Sequence, residues 1–261
     1  MTRQVWIWGL AGLAVLEAAA LVALGVRSRW QREGGSSAVA RGQAVAVRMG
    51  CFGCHGPGGM AGIPNPGAKG GGEVPTWSGG TWMMYNDSES DVRAWISDGH
   101  PPSRAPDSKA LLVMPAYKGR LTAKETDDVV ACVLAVSHFG KLEDEKAAAG
   151  RDAAARLGCF GCHGPEGRGL TWDPGSFKGY VPPWDGADYA ELVRSDAEFR
   201  EWVRNGVSER FRKNPAARPF LVREVIKMPA FGARVSDADL DALLAYVRWV
   251  RANPRTGHAG R

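Results

Sequence analysis

Two segments of the chain carry the same arrangement of sulfur and imidazole, Cys51-Phe52-Gly53-Cys54-His55 and Cys159-Phe160-Gly161-Cys162-His163. Thiols at this spacing reach the two vinyl groups of one haem, and the adjacent imidazole is carried beneath the iron, so attachment and ligation come together. The pattern points to two covalently bound haem c groups, attached through Cys51, Cys54, Cys159 and Cys162 and ligated by His55 and His163. The competing chemistries are a Cys/His zinc site, which would need a fourth ligand from each segment, and a redox dithiol. Cys132 belongs to neither segment. It reads as filler of a small core volume, against redox chemistry or an intermolecular disulfide.

The sixth ligand of each iron has to come from farther along. Met228 is the only methionine after His163, and the only later histidine is His258 near the C-terminus. For the first segment the answer comes from an internal duplication. Gly50 to Pro57 recurs as Gly158 to Pro165 at an offset of 108, and Gly42 pairs with Gly150 and Pro66 with Pro174 in the same register. Val74-Pro75-Thr76-Trp77 then matches Val181-Pro182-Pro183-Trp184, and 92–96 matches 199–203. After a seven-residue insertion in the second copy, Met114-Pro115-Ala116-Tyr117 matches Met228-Pro229-Ala230-Phe231. Met114 is therefore preferred over Met60, Met83 and Met84. His100 is a rival whose counterpart, Val207, cannot ligate. With histidine on one side and methionine on the other, neither iron keeps an open position, which favours electron transfer over catalysis. A dihaem enzyme such as a peroxidase would need one methionine displaced, and a haem-based sensor would need a signalling domain.

Each copy resembles a class I cytochrome c domain, over nearly all of 38–140 and 145–252, through the Cys-x-x-Cys-His motif, the later Met-Pro and a capped final helix. The resemblance implies a small all-helical fold around one haem with His/Met ligation. It also implies that a proline carbonyl some eleven or twelve residues after the histidine receives the imidazole N–H, a role that falls to Pro66 and Pro174. First and last helices of the family cross through a small residue and an aromatic; Gly150 and Tyr246 match, whereas the first copy offers Gly42 and Cys132. The layout is similar to tethered dihaem cytochromes of bacterial respiratory or photosynthetic chains, including dihaem subunits of cbb-type oxidases. This implies redox partner proteins and a role as a tethered shuttle or a complex subunit.

The elements that must position these residues follow the duplication. Ala/Val-rich helices are expected at about 38–50 and 145–158, and stronger helices after each methionine, opened by Thr122-x-x-Glu125 and Ser236-x-x-Asp239. Val129, Val130, Val133 and Val136, and Leu240, Leu243, Leu244 and Val247, recur at helical spacing. Gly and Pro crowd 56–80 and 164–186, which reads as loop, and no alternating strand pattern appears. Trp77, Trp184, Trp95 and Trp202 are read as pocket walls, with an indole bond to a haem propionate as the alternative for any of them.

The expected fold is all-α: a transmembrane anchor and flank over 1–33, cytochrome c domains over 34–142 and 143–253, and a tail over 254–261. The anchor is read from 5–26, an apolar run with one charge, Glu17, and with Trp6, Trp8 and Trp30 near its ends. At 1.5 Å per residue such a run crosses the ~30 Å hydrocarbon layer; a cleaved signal peptide is the alternative. The arginines that follow argue for a cytoplasmic flank, but haem attachment outside the cytoplasm argues the reverse. The expected placement is thus single-pass in the bacterial cytoplasmic membrane with the haem domains on the periplasmic side. Glu17 is either a contact to a partner subunit or a protonated bystander among lipid.

The chain has 261 residues, 44% hydrophobic, with 33 basic and 28 acidic residues for a formal charge of +5. That charge is too mild to imply nucleic-acid binding. One stretch is biased, with nine basic and three acidic residues from Arg200 to Arg234. It reads equally as a docking face for an acidic redox partner and as a solvated loop.

Overall fold

A computed structural model of the chain describes residues 15, 17, 37–69, 71–79, 84–138 and 142–255. In the first half, α1 (Ala38–Arg48) turns Val39, Ala40, Gly42, Val45 and Ala46 inward, and α2 (Phe52–His55) is a single turn. Next come α3 (Glu89–Asp98) and α4 (Ala123–Val136). The capping box read from sequence is formed at α4: Glu125 N–H donates to Thr122 Oγ1 at 3.2 Å, and Thr122 N–H donates to Glu125 Oε2 at 2.9 Å. These bonds satisfy backbone donors that a helix start otherwise leaves open.

The second half repeats the plan with α5 (Glu145–Arg156) and α6 (Cys159–His163). After α7 (Tyr189–Leu192) and α8 (Asp196–Asn205), the longer loop of this copy folds into α9 (Glu209–Lys213) and α10 (Arg218–Arg223). The closing helix α11 (Asp237–Ala252) opens with the expected Ser236/Asp239 box.

In each half the first and last helices pack together, α1 on α4 and α5 on α11. Glycine permits the approach. A Cβ on Gly42 would sit well inside 3.0 Å of the Asp128 carbonyl, and one on Gly150 inside 3.0 Å of the Ala242 carbonyl and 2.7 Å from Tyr246 Cβ. Cys132 Cβ faces Gly42 where Tyr246 faces Gly150, so the two crossings differ as their sequences do. Around them, Val39, Val129, Val130, Val133 and Val136 form one core, and Leu240, Leu243, Leu244, Val247 and Val250 another. Each such side chain contributes about 1.5–3 kcal/mol on burial, so the helical stripes are what hold the helices in place.

Two expectations are corrected. The fold is not wholly helical: β1 (Thr171–Trp172) pairs antiparallel with β2 (Tyr180–Val181). Two-residue strands are too short to show the alternation by which a strand is recognised. The second correction concerns the membrane. Among the described residues no helix is long and apolar enough to cross one. Even α11, at 16 residues, spans about 24 Å against ~30 Å of hydrocarbon, and it carries Arg248 and Arg251. The anchor expected over 5–26, with its partner contact at Glu17, lies outside the described residues except for Val15 and Glu17, which are helical and exposed. The expected single-pass placement in the bacterial cytoplasmic membrane, with the haem domains on the periplasmic side, finds no membrane-crossing helix among the described residues and is not retained.

The halves touch. Ser37 Oγ donates to the Arg168 carbonyl at 3.0 Å, and Leu170 N–H donates to Gln43 Oε1 at 3.2 Å. The loop that follows His163 thus lies on the start of α1.

Candidate functional site

In both copies the cysteine pair and the histidine sit on one short helical turn, α6 in the second copy and α2 with Cys51 as its N-cap in the first, because a three-residue separation returns the second thiol to the face of the first. The histidine ends the helix, and a glycine at φ 70°, Gly56 or Gly164, turns the chain away. His55 Nδ1–H donates to the Pro75 carbonyl at 2.8 Å, and His163 Nδ1–H to the Pro182 carbonyl at 3.3 Å. This fixes the tautomer and leaves Nε2 as the metal-facing atom. Burial holds the His55 imidazole below its ordinary value, opposed by the bond to Pro75, and pushes His163 down to about 4. Both rings are therefore neutral near pH 7, the form that ligates.

This is where the expectation for Pro66 and Pro174 fails. The family spacing placed the acceptor eleven residues after the histidine; the loops here carry it 20 and 19 residues on, at Pro75 and Pro182. The signal was in the duplication, which matches Pro75 with Pro182 as part of Val-Pro-x-Trp. The Pro66 carbonyl instead accepts Leu111 N–H at 3.0 Å.

Trp77 and Trp184 back the two imidazoles, with centroids 5.4 and 5.0 Å from His55 and His163. Each indole lies on a glycine, Gly59 or Gly167, where any Cβ would overlap the ring. Trp95 and Trp202 are not propionate donors by this geometry, since their Nε1–H groups go to the Tyr85 carbonyl at 3.3 Å and the Leu192 carbonyl at 3.0 Å.

A cavity of about 520 Å³ opens in front of the first motif, lined by Cys51, Cys54, His55, Trp95, Met114 and Tyr117 among others. That volume lies within the range of cofactor pockets, roughly 300–1,000 Å³. Two thiols, an imidazole with Nε2 free and a thioether around one apolar space are the donor set that haem c requires. Of the rival ligands, Met60 and Met84 are exposed and His100 bonds the Pro101 carbonyl at 3.1 Å; none of the three lines the cavity. Met83 lies outside the described residues. In the second copy Met228 is half-buried against the core that includes Cys159, Phe160 and Trp184. A separate hollow of about 530 Å³, lined by Asp196, Arg200, Asp241 and Arg248, offers neither thiol nor imidazole and does not fit the group. Among the described residues no group of three or more His, Cys, Asp or Glu side chains is placed to hold a metal ion by itself. Cys132 is buried, and burial pushes its thiol up to about 12, as suits a core residue.

Two matched pairs beside the methionines escaped the sequence reading. Gly99 and Gly206 end α3 and α8 at φ 81° and 72°, and a Cβ on either would press into the carbonyl of Met114 or Met228. Asn65 and Asp173 bond the chain just ahead of each methionine. Both pairs stand in register in the duplication, at offsets of 107 and 108, which was the available signal.

The family model for cytochrome c matches residues 39–137, and that for cytochrome c oxidase, cbb3-type, subunit III matches residues 145–247. The chain belongs to the c-type cytochromes, with two haem-binding domains. Each domain binds haem c covalently through its iron-bearing porphyrin, and the activity such domains imply is electron transfer. No curated protein matches the chain. The reducing HAO-like protein complex of Kuenenia stuttgartiensis is similar at 18% identity over 80% of this chain and 94% of that chain, with a TM-score of 0.27, too loose a likeness to bear on function.

Proposed function

We propose that the chain is a dihaem electron carrier with domains over 34–142 and 143–253, working as a shuttle or as a subunit of a respiratory complex. Cys51 and Cys54, and Cys159 and Cys162, would hold the two groups, with His55 and Met114, and His163 and Met228, as the residues that would ligate the irons. Haem c supplies a one-electron couple when bound, and methionine opposite histidine raises its potential. The observation that carries this reading is the shared lining of one cavity by Met114, Cys51, Cys54 and His55. The match of the second half to an oxidase subunit supports the respiratory setting. Met114→His and Met228→His, made singly in the holoprotein, test it by redox titration. Each should lower one of two potentials, within the ~0.8 V span that axial ligands command, with both haems still attached; two unchanged potentials would remove the methionines as ligands.

The partner face of the second domain is the loop ahead of Met228. Most arginines of the basic stretch are paired there: Arg200 with Asp241, Arg204 with Asp237, Arg210 with Glu198, Arg212 and Lys213 with Glu209. Arg218, Arg223 and Lys227 remain exposed. The same stretch of chain carries apolar surface: Phe177 packs on Phe220 at 5.2 Å, and Val222 and Val225 are 69% and 71% exposed. Apolar surface with basic side chains ahead of the methionine complements an acidic redox protein.

A further inference from the structure

We infer that Asn65 and Asp173 are positioning residues that hold the methionine-bearing strands in ligating register. The inference rests on the reading of Met114 and Met228 as iron ligands. Asn65 Nδ2–H donates to the Leu112 carbonyl at 2.9 Å, and Leu112 N–H donates to Asn65 Oδ1 at 2.8 Å. Asp173 Oδ1 accepts Val225 N–H at 2.8 Å and Ile226 N–H at 3.1 Å. Leu112 and Ile226 each stand two residues before a methionine, so the two clamps grip equivalent points of equivalent strands.

Side-chain packing does little to hold these strands. Leu111 and Val113 are 72% and 61% exposed, and Val225 71%. The clamps are buried and rigid by contrast: Asn65 is 5% and Asp173 2% exposed. Their own backbones are tied, Asn65 N–H to the Gly72 carbonyl at 2.6 Å and Asp173 N–H to the Gly179 carbonyl at 3.0 Å. A buried amide or carboxylate is unfavourable unless bonded, so each stays on its strand. Behind each methionine the carbonyl lies against Gly99 or Gly206. The backbone is thus held just ahead of each methionine and at its carbonyl while the surface of the segment stays open. A thioether that must meet iron depends on such support, as metal ligands generally do on the groups that orient them.

The two clamps differ in chemistry, and the difference predicts different tolerance. Asp173→Asn keeps an acceptor oxygen for both N–H groups. Asn65→Asp keeps the acceptor for Leu112 N–H but turns a second oxygen toward the Leu112 carbonyl, losing the donated bond.

The test uses the oxidised dihaem protein and the weak far-red absorption band of an iron–thioether bond, with the untouched domain as internal reference. Asn65→Ala and Asp173→Ala should each lose about half the band and lower one potential, with haem attachment and helical circular dichroism retained. Asp173→Asn should restore the full band; Asn65→Asp should restore only part. Met114→Ala and Met228→Ala calibrate the loss. If they leave the band intact, the ligand reading itself fails. If they halve it while Asn65→Ala and Asp173→Ala leave it whole, the ligands stand and the positioning role is overturned. Loss of helical signal in an alanine variant passes the decision to the Asp173→Asn and Asn65→Asp pair, where equal bands would overturn it.

Discussion

The Arg168 side chain, fully buried, reaches from the loop after His163 to the end of α11, where Nη2–H donates to the Asn253 carbonyl at 2.8 Å and Nη1–H to the Val250 carbonyl at 3.1 Å. The same guanidinium bonds Asp185 Oδ2 at 2.9 Å and Glu166 Oε2 at 3.2 Å, and Glu166 also takes Arg255 at 2.7 and 3.0 Å. Its backbone carbonyl, meanwhile, receives Ser37 from the first half. One residue joins the imidazole-bearing loop, the last helix and the neighbouring domain.

Removing that guanidinium leaves the buried Asp185 carboxylate without its ion-pair partner and takes a donor from the Val250 and Asn253 carbonyls, while Glu166 keeps Arg255; breaking a buried ion pair costs about 3–5 kcal/mol. Arg168→Met should therefore lower the stability of the second domain by that order in denaturant titration. Cleavage by a protease between the domains should rise as the Ser37 contact loosens. Wild-type stability in the variant would refute the assignment.

The helix crossings should be intolerant of a single methyl group. Gly42→Ala and Gly150→Ala each drive a Cβ into a backbone carbonyl that no rotamer change can clear. Overpacking of this kind costs about 1–3 kcal/mol and here belongs at the upper end. Urea titration of each variant should show one destabilised domain, the one that carries the substitution.

Stability should fall with acid partly through Glu198. Burial raises its carboxyl, but Arg210 and the Arg194 N–H, with Ser208, overcome this and hold it below the usual carboxylate range. A depressed folded pKa contributes stability that is complete above the unfolded value, ~4.3, and is lost as pH falls through the folded one. The stability gap between wild type and Glu198→Gln should be constant from pH 7 to about 5 and close below about 4. A gap that does not change with pH would contradict the pairing.

Charge reversal should reveal the partner face. With an acidic blue copper protein as donor, Arg218→Glu/Arg223→Glu should slow reduction at low salt by about tenfold or more and flatten its dependence on ionic strength. Equal rates and equal salt slopes in stopped-flow measurements would leave these arginines as a solvated loop.

The chemistry was legible in the residues because haem attachment is written in a contiguous motif whose spacing is its function. The duplication then singled out Met114 and Met228, and the caps at Thr122 and Ser236 marked the closing helices, since capping is local. Loop geometry was not legible in the same way. The proline that receives each imidazole lies across a glycine-rich loop whose path no local rule sets, so family spacing points to Pro66 and Pro174 where Pro75 and Pro182 accept the bond. Arg168 bonds partners more than 80 residues away, and Asn65 bonds Leu112 across 47; such pairs carry no spacing signal. The sequence by itself determined two haem-binding helical domains and which residues to propose as their donors. Only the folded chain decided which carbonyls orient the histidines, which side chains clamp the methionine strands and how the two domains meet, because those contacts arise where distant segments are packed together.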